Sequence, residues 1–180
     1  MKQQRLDIEV SGYDPAVPDP PHSVDPVQLG AYFALIEVSS LLRHAIEQQM
    51  REDGGLTFVQ FQILRRLQVA PSGSARMTDL ADSIVFSRSG LTYQAGKLER
   101  DGLVARAPSI EDERSVVISV TDAGRALVAA VLPGHEEVVR RMFLEPVSHD
   151  ASSLTRILEP VRDHMRSAPP RSAAPRRRRA

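Results

Sequence analysis

Cysteine is absent from this chain of 180 residues, which excludes disulfides, thiolate metal sites and thiol-based redox sensing. Net charge is absent too. The 23 basic and 23 acidic side chains cancel, so any grip on a polyanion has to come from a local arrangement of cations. No run approaches the roughly 20 apolar residues of a membrane span, and the opening MKQQRLDIEV lacks the apolar stretch of a signal peptide. A cytoplasmic protein with no membrane partner is therefore expected. No nucleophile–base pair, phosphate loop or metal-ligand spacing is present, so neither an enzyme nor a cofactor is expected. The histidines are His22, His44, His135, His149 and His164. His135-Glu136-Glu137 with His149 supplies imidazole and carboxylate, but without an HExxH pattern or an i, i+4 pair it reads as surface histidines near a Pro-Gly kink rather than a metal site.

What is present centres on residues 77–124. Thr78 can cap a short helix through Ser83, with Leu80, Ala81 and Ile84 inward, and Ser87 can cap the next helix at once. In that second helix Leu91, Ala95 and Leu98 share one face, while Arg88, Ser89, Thr92, Tyr93, Gly96 and Lys97 lie opposite. Cations, hydroxyls and one aromatic ring on a helix face can donate to phosphates and base edges in a major groove. Ser87, Arg88, Ser89, Thr92, Tyr93 and Lys97 are accordingly candidate DNA contacts. Gly90 and Gly96 each cost roughly 1 kcal/mol against Ala in a helix interior; either the backbone approaches DNA there or it approaches a neighbouring helix.

Asp101-Gly102 ends that helix, and Leu103–Ala107 and Ser115–Val120 alternate as a two-stranded ribbon. Between them PSIEDERS forms a wing whose single cation, Arg114, can enter a minor groove, with Asp112 placed to hold its guanidinium by a bidentate pair. The fold expected is mainly α with a small two-stranded β wing: a winged helix-turn-helix, about residues 57–120, plus a helical dimerisation region.

The stretch LADSIVFSRSGLTYQAGKLERDGLVARAPSIEDERSVVISVTDAG resembles the pattern of MarR-type regulators (multiple antibiotic resistance regulators). The shared features are LA, a Ser-capped recognition helix, LE..GLV.R, a D.R wing and a T..G helix start. The resemblance implies a homodimeric transcription factor with its recognition helix in the major groove and Arg114 in the minor groove. Lack of cysteine removes the family's peroxide-sensing branch. Where the family's wing often carries a basic residue, this chain has Glu113.

Residues 1–24, with Pro15, Pro18, Pro20 and Pro21, read as a flexible leader. Residues 25–166 form the main domain. Asp25, Pro26 and Gln28 open a helix to about Glu52 that buries Leu29, Phe33, Ile36, Leu42, Ile46 and Met50. Thr57 and Gln60 form a second capping box ahead of Phe58, Phe61, Leu64 and Leu67, and Pro71–Ser74 is a turn. Thr121 caps a helix with Ala126, Leu127, Ala130 and Val131 inside, which Pro133-Gly134 should kink or interrupt before it resumes through Val138, Val139, Met142 and Phe143. A last helix, near Asp150 to Arg166, lines up Leu154, Ile157, Leu158, Val161 and Met165 despite Pro160. The terminal helices, about 25–52 and 121–166, carry more apolar face than one small winged domain covers, so packing against a second copy is expected. Two recognition helices one DNA turn apart would then read a pseudo-palindrome in double-stranded DNA.

Residues 167–180 form a disordered basic tail; Arg176 to Arg179 either add sequence-independent DNA affinity or are simply solvated. MarR-type regulators bind small phenolic or anionic ligands between the dimerisation helices and the winged domain. By that resemblance Arg43 and His44 are candidate ligand contacts, the alternatives being a solvated face or a pair across a dimer. The function expected is a repressor released by such a ligand, against a winged-helix protein-interaction module that does not bind DNA specifically.

Overall fold

A computed structural model of the chain describes residues 24–84, 86–109 and 115–167. The leader up to residue 23, the wing tip with Asp112 and Arg114, and the arginine tail lie outside the described residues. In chain order come helix α1 (Pro26–Gly54), α2 (Phe58–Val69), strand β1 (Ser74–Arg76), α3 (Met77–Ser83), α4 (Arg88–Arg100), β2 (Val104–Pro108), β3 (Val116–Val120), α5 (Asp122–Val139), a π-helical turn (Arg140–Leu144) and α6 (Ala151–Ser167).

The helix starts follow local hydrogen-bonding chemistry. Asp25 Oδ1 accepts from Val27 N at 2.8 Å. Thr57 and Gln60 exchange both bonds of a capping box at the head of α2. Thr121 Oγ1 accepts from Gly124 N at 3.1 Å at the head of α5. Thr78 does not act as a cap. The chain leaves β1 straight into α3, so the cap position falls on Arg76, which makes no side-chain cap bond, and the Thr78 hydroxyl donates to Asp79 Oδ1 instead.

The strands form a three-stranded antiparallel sheet in the order β1-β3-β2, not a two-stranded ribbon. The added strand occupies Ser74–Arg76, beginning at the last residue of the stretch read as a turn; three residues are too few to show alternation. Gly73, at φ +65°, turns the chain so that Arg76 pairs with Val117 along the edge that β3 would otherwise leave open. On the other side of β3, Arg106 pairs with Ile118.

The chain divides into two units after Ser39. In the larger unit a core is built from Ile46 and Met50 of α1, Ile63, Leu64 and Leu67 of α2, Leu80 of α3, Leu91, Ala95 and Leu98 of α4, Ile118 of β3, and Val128 and Val131 of α5. Residues 26–39, in the smaller unit, keep Leu29, Phe33 and Ile36 exposed, where burial was expected. α1 as a whole is long and apolar enough, by length and composition alone, to cross a membrane, where the sequence led to no such stretch being expected.

On α5, Val131 is buried and Leu127 half-buried against the core, as expected; Val128 is buried with them, whereas Ala126 and Ala130, expected inside, are exposed. Pro133 does not interrupt the helix, which continues to Val139, and the irregularity falls at the π-helical turn. Close packing holds this segment: a side chain at Gly134 would stand 2.8 Å from Gln49 Nε2, and Gln49 Nε2 donates to the Val131 carbonyl at 3.2 Å. In α6 Leu154 and Leu158 are half-buried, while Ile157, Val161 and Met165 are exposed.

Candidate nucleic-acid interface

α4 is set on the core by Leu91, Ala95 and Leu98 and started by Ser87, whose Oγ accepts from Gly90 N at 3.1 Å. The segment before it is held from below by Phe86 N donating to the Ala81 carbonyl at 3.1 Å. This anchoring leaves Ser87, Arg88, Ser89, Thr92 and Tyr93 exposed on the outer face, with Lys97 half-buried beside them. Lys97 Nζ lies 4.8 Å from the centroid of the Tyr93 ring, so the ammonium is steered by the ring's negative face one helical turn away. Thr92 Oγ1 donates to the Arg88 carbonyl at 2.9 Å, which leaves only its lone pairs for a ligand.

The two glycines of α4 separate. A side chain at Gly90 would stand 2.7 Å from Phe86 Cε1 and 2.8 Å from Ser87 Oγ, so Gly90 makes room for the capping turn that precedes the helix. At Gly96 the nearest atom, Arg106 Nη2, is 4.0 Å away, and a side chain would fit.

Glu99, on the last turn of α4, accepts from Arg106 Nε at 2.8 Å and is also paired with Arg106 Nη2. The hydrogen bonds from Arg106 hold the Glu99 carboxyl below its usual range. Arg106 is thus engaged in tying β2 to α4. A cleft of about 450 Å³ opens beside this pair, lined by Arg76, Met77, Thr78, Arg88, Thr92, Arg106, Ser115 and Val116. It lies between the first turns of α3 and α4 and the base of the wing. Arg76 had no sequence signal, because it is adjacent to the other cations only through the sheet.

A second cleft, about 330 Å³, is formed by Phe58, Phe61, Gln62, Arg65, Arg66 and Val69 of α2 with His135 of α5. His135 is not a surface histidine as expected. Its ring lies 5.0 Å from that of Phe61 and 6.5 Å from that of Phe58, and its Nδ1 is buried with no hydrogen-bond partner among the described residues. Burial pushes its pKa down, against the opposing charge of Glu136. Arg66 Nη2 donates to the Ser83 carbonyl at 3.4 Å, linking this cleft to the end of α3. Arg43 and His44 are both exposed on α1 and line neither cleft.

Comparison with known proteins bears on this geometry. A family profile described as the MarR family matches residues 54–115. The homoprotocatechuate degradative operon repressor of Escherichia coli is 36% identical over 104 residues, 58% of this chain and 69% of that one. AbsC, a MarR family transcriptional regulator from Streptomyces coelicolor, superposes with a TM-score of 0.77 at 29% identity, over 82% of this chain and 99% of that one. Sco3205, another MarR family transcriptional regulator from the same organism, solved in complex with DNA, gives a TM-score of 0.76 at 27% identity, over 82% of this chain and 92% of that one.

Proposed function

This chain belongs to the MarR family of transcriptional regulators, and from that premise we propose that it is a homodimeric repressor that binds a pseudo-palindromic operator and is released by a small ligand. The observation that carries the DNA reading is the outer face of α4, where Arg88, Ser89, Thr92, Tyr93 and Lys97 stand clear of the core on a helix capped by Ser87. Such a face fits a major groove. The DNA complex of Sco3205 and the repressor role of the E. coli relative support the same reading. Asp112 and Arg114 belong to it as the wing contacts, Arg114 in the minor groove.

Dimerisation is supported by apolar side chains exposed among the described residues: Leu29 and Phe33 on α1, and Ile157, Val161 and Met165 on α6. A second copy covers both and sets two recognition helices about one DNA turn apart. That arrangement, rather than insertion into a membrane, accounts for the apolar half of α1, and binding to DNA places the protein in the cytoplasm.

For the ligand, the α2–α5 cleft offers Phe58 and Phe61 as an apolar wall, with Arg65, Arg66 and His135 as polar groups, a combination suited to a phenolic or anionic molecule. A ligand anion that draws Arg66 from the Ser83 carbonyl acts on α3 and so on the recognition helix. Release then follows from the ligand's preference for the conformation that does not fit DNA. Arg43 and His44, exposed on α1, remain proposed ligand contacts only where the second copy closes over them.

The test is selection of bound genomic fragments by the purified protein at physiological salt, followed by footprinting. Protection of a short inverted repeat is expected. Recovery of no preferred sequence would reject the operator reading and favour a winged-helix module that binds protein.

A further inference from the structure

Most glycines among the described residues have a cause inside the chain. A Cβ at Gly54, Gly90, Gly124 or Gly134 would collide with a neighbouring group, and Gly55, Gly73 and Gly102 hold a positive φ. Gly30 and Gly96 have neither reason. Each sits inside a helix, outside the positive-φ region, with no atom of the described residues closer than 4.0 Å to the place a Cβ would take. Glycine at such a position gives up the helix stability that alanine would bring, and the fold gains nothing in exchange. The cause then lies outside the chain. For Gly30, on the exposed stretch of α1, the second copy already proposed supplies one.

Gly96 is placed differently. Leu91, Ala95 and Leu98 point α4 into the core, so the helical repeat puts Ser89, Tyr93, Gly96 and Arg100 on the opposite side. Tyr93, one turn before Gly96, and Arg100, one turn after it, are both exposed. Gly96 is thus a dip between projecting side chains, floored by helix backbone. On the wing side the dip is bordered by Arg106, whose Nη2 is the atom 4.0 Å away and whose guanidinium is tied to Glu99. A helix with its side chains is about 10–12 Å across and the major groove about 12 Å wide, so a recognition helix fits with little slack. One missing side chain on the leading face lets the helix settle deeper at that point.

We propose that Gly96 is the point of closest approach between α4 and the DNA duplex, a specificity-determining position that sets how deeply the recognition helix lies and so how well the groups around it reach the base edges. The proposal rests on the DNA-binding reading and adds to it a position that acts by having no side chain.

The experiment compares the full-length protein with Gly96→Ala and Gly96→Met in thermal melts, in mass by light scattering, and in affinity for the selected operator and for an unrelated duplex of equal length. Alanine has room in the free protein and should raise Tm by about 2–4 °C. On the operator, a methyl group forced into a packed contact should weaken binding by about tenfold or more. Binding to the unrelated duplex is carried by phosphate charge without a close fit, so it should change by less than about twofold. Gly96→Met, unbranched and also a good helix former, should weaken operator binding further with Tm at or above that of the unaltered protein. Mass in solution should stay constant. Operator affinity in Gly96→Ala equal to or above that of the unaltered protein would overturn the proposal and leave DNA binding standing. So would an equal loss on both duplexes, a lowered Tm, which would put the cause inside the chain, or a changed mass, which would put it at a contact between copies. Failure of the unaltered protein to bind any duplex would overturn the DNA-binding reading as well.

Discussion

On the DNA-binding reading proposed above, Ser87 answers to folding and to DNA with one side chain, and Ser87→Asp separates the two demands. Its hydroxyl caps α4 through a single exposed bond of 3.1 Å from Gly90 N. Removal in Ser87→Ala should cost about 1 kcal/mol, roughly 3 °C in Tm for a chain of this size. Asp keeps an oxygen in the capping position and adds a negative charge at the positive end of the helix, worth up to about 0.5 kcal/mol, so Ser87→Asp should melt at or slightly above the unaltered protein. On DNA the order reverses. A carboxylate roughly 5 Å from a phosphate in a water-like dielectric is repelled by about 0.8 kcal/mol, and a twofold complex contains the pair twice. The expected loss is therefore about 1.6 kcal/mol, roughly fifteenfold in Kd at low salt, shrinking as salt is raised. Thermal melts paired with fluorescence anisotropy on the operator at two salt concentrations read both quantities. If Ser87→Asp bound DNA as tightly as the unaltered protein, the start of α4 would not face phosphate; if it melted like Ser87→Ala, the cap geometry would be wrong.

Three further outcomes are expected. His135 has its pKa lowered by burial in the folded state, so the unfolded chain binds the extra proton first and stability should fall as pH drops below about 6.5; in His135→Phe, urea melts from pH 7.5 to 5 should show a smaller decline, and an unchanged profile would remove His135 as the cause. A side chain at Gly124 would collide with the Leu103 carbonyl and stand 2.9 Å from Val120 Cγ2, so Gly124→Ala should lose about 2–3 kcal/mol of stability by denaturant titration, and a neutral result would mean that the β2–α5 junction yields easily. The contact between Lys97 and Tyr93 should give a coupling of about 0.5–1 kcal/mol in operator affinity in a double-mutant cycle of Tyr93→Leu with Lys97→Met, and close to none when Tyr93→Phe, which keeps the ring, replaces Tyr93→Leu; additive effects in the Leu cycle would show that the two side chains act separately.

The features legible in the sequence share a physical property: the partners lie within a few residues of each other. The Thr57–Gln60 box, the Ser87 and Thr121 caps and the inward triplet Leu91, Ala95, Leu98 are set by bonds or spacings within one or two helical turns, and each is found where the sequence placed it. Thr78 failed by the same standard, because an edge strand of three residues with little local signature moved the start of α3 onto Arg76. The outer face of α4 was readable from periodicity, whereas the cleft beside it was not, since Arg76, Arg88 and Arg106 meet only after β1 and β2 pair on opposite sides of β3. His135 was hidden for a similar reason: its burial depends on Phe58 and Phe61 of a helix more than seventy residues earlier. The zero net charge, taken at sequence level as a handicap for binding DNA, changes meaning once pairing is known. Glu99 engages Arg106, Glu137 and Glu145 engage Arg140, and Glu159 and Asp163 engage Arg162, so part of the charge balance is struck locally, between neighbours, which a sum over the sequence cannot express.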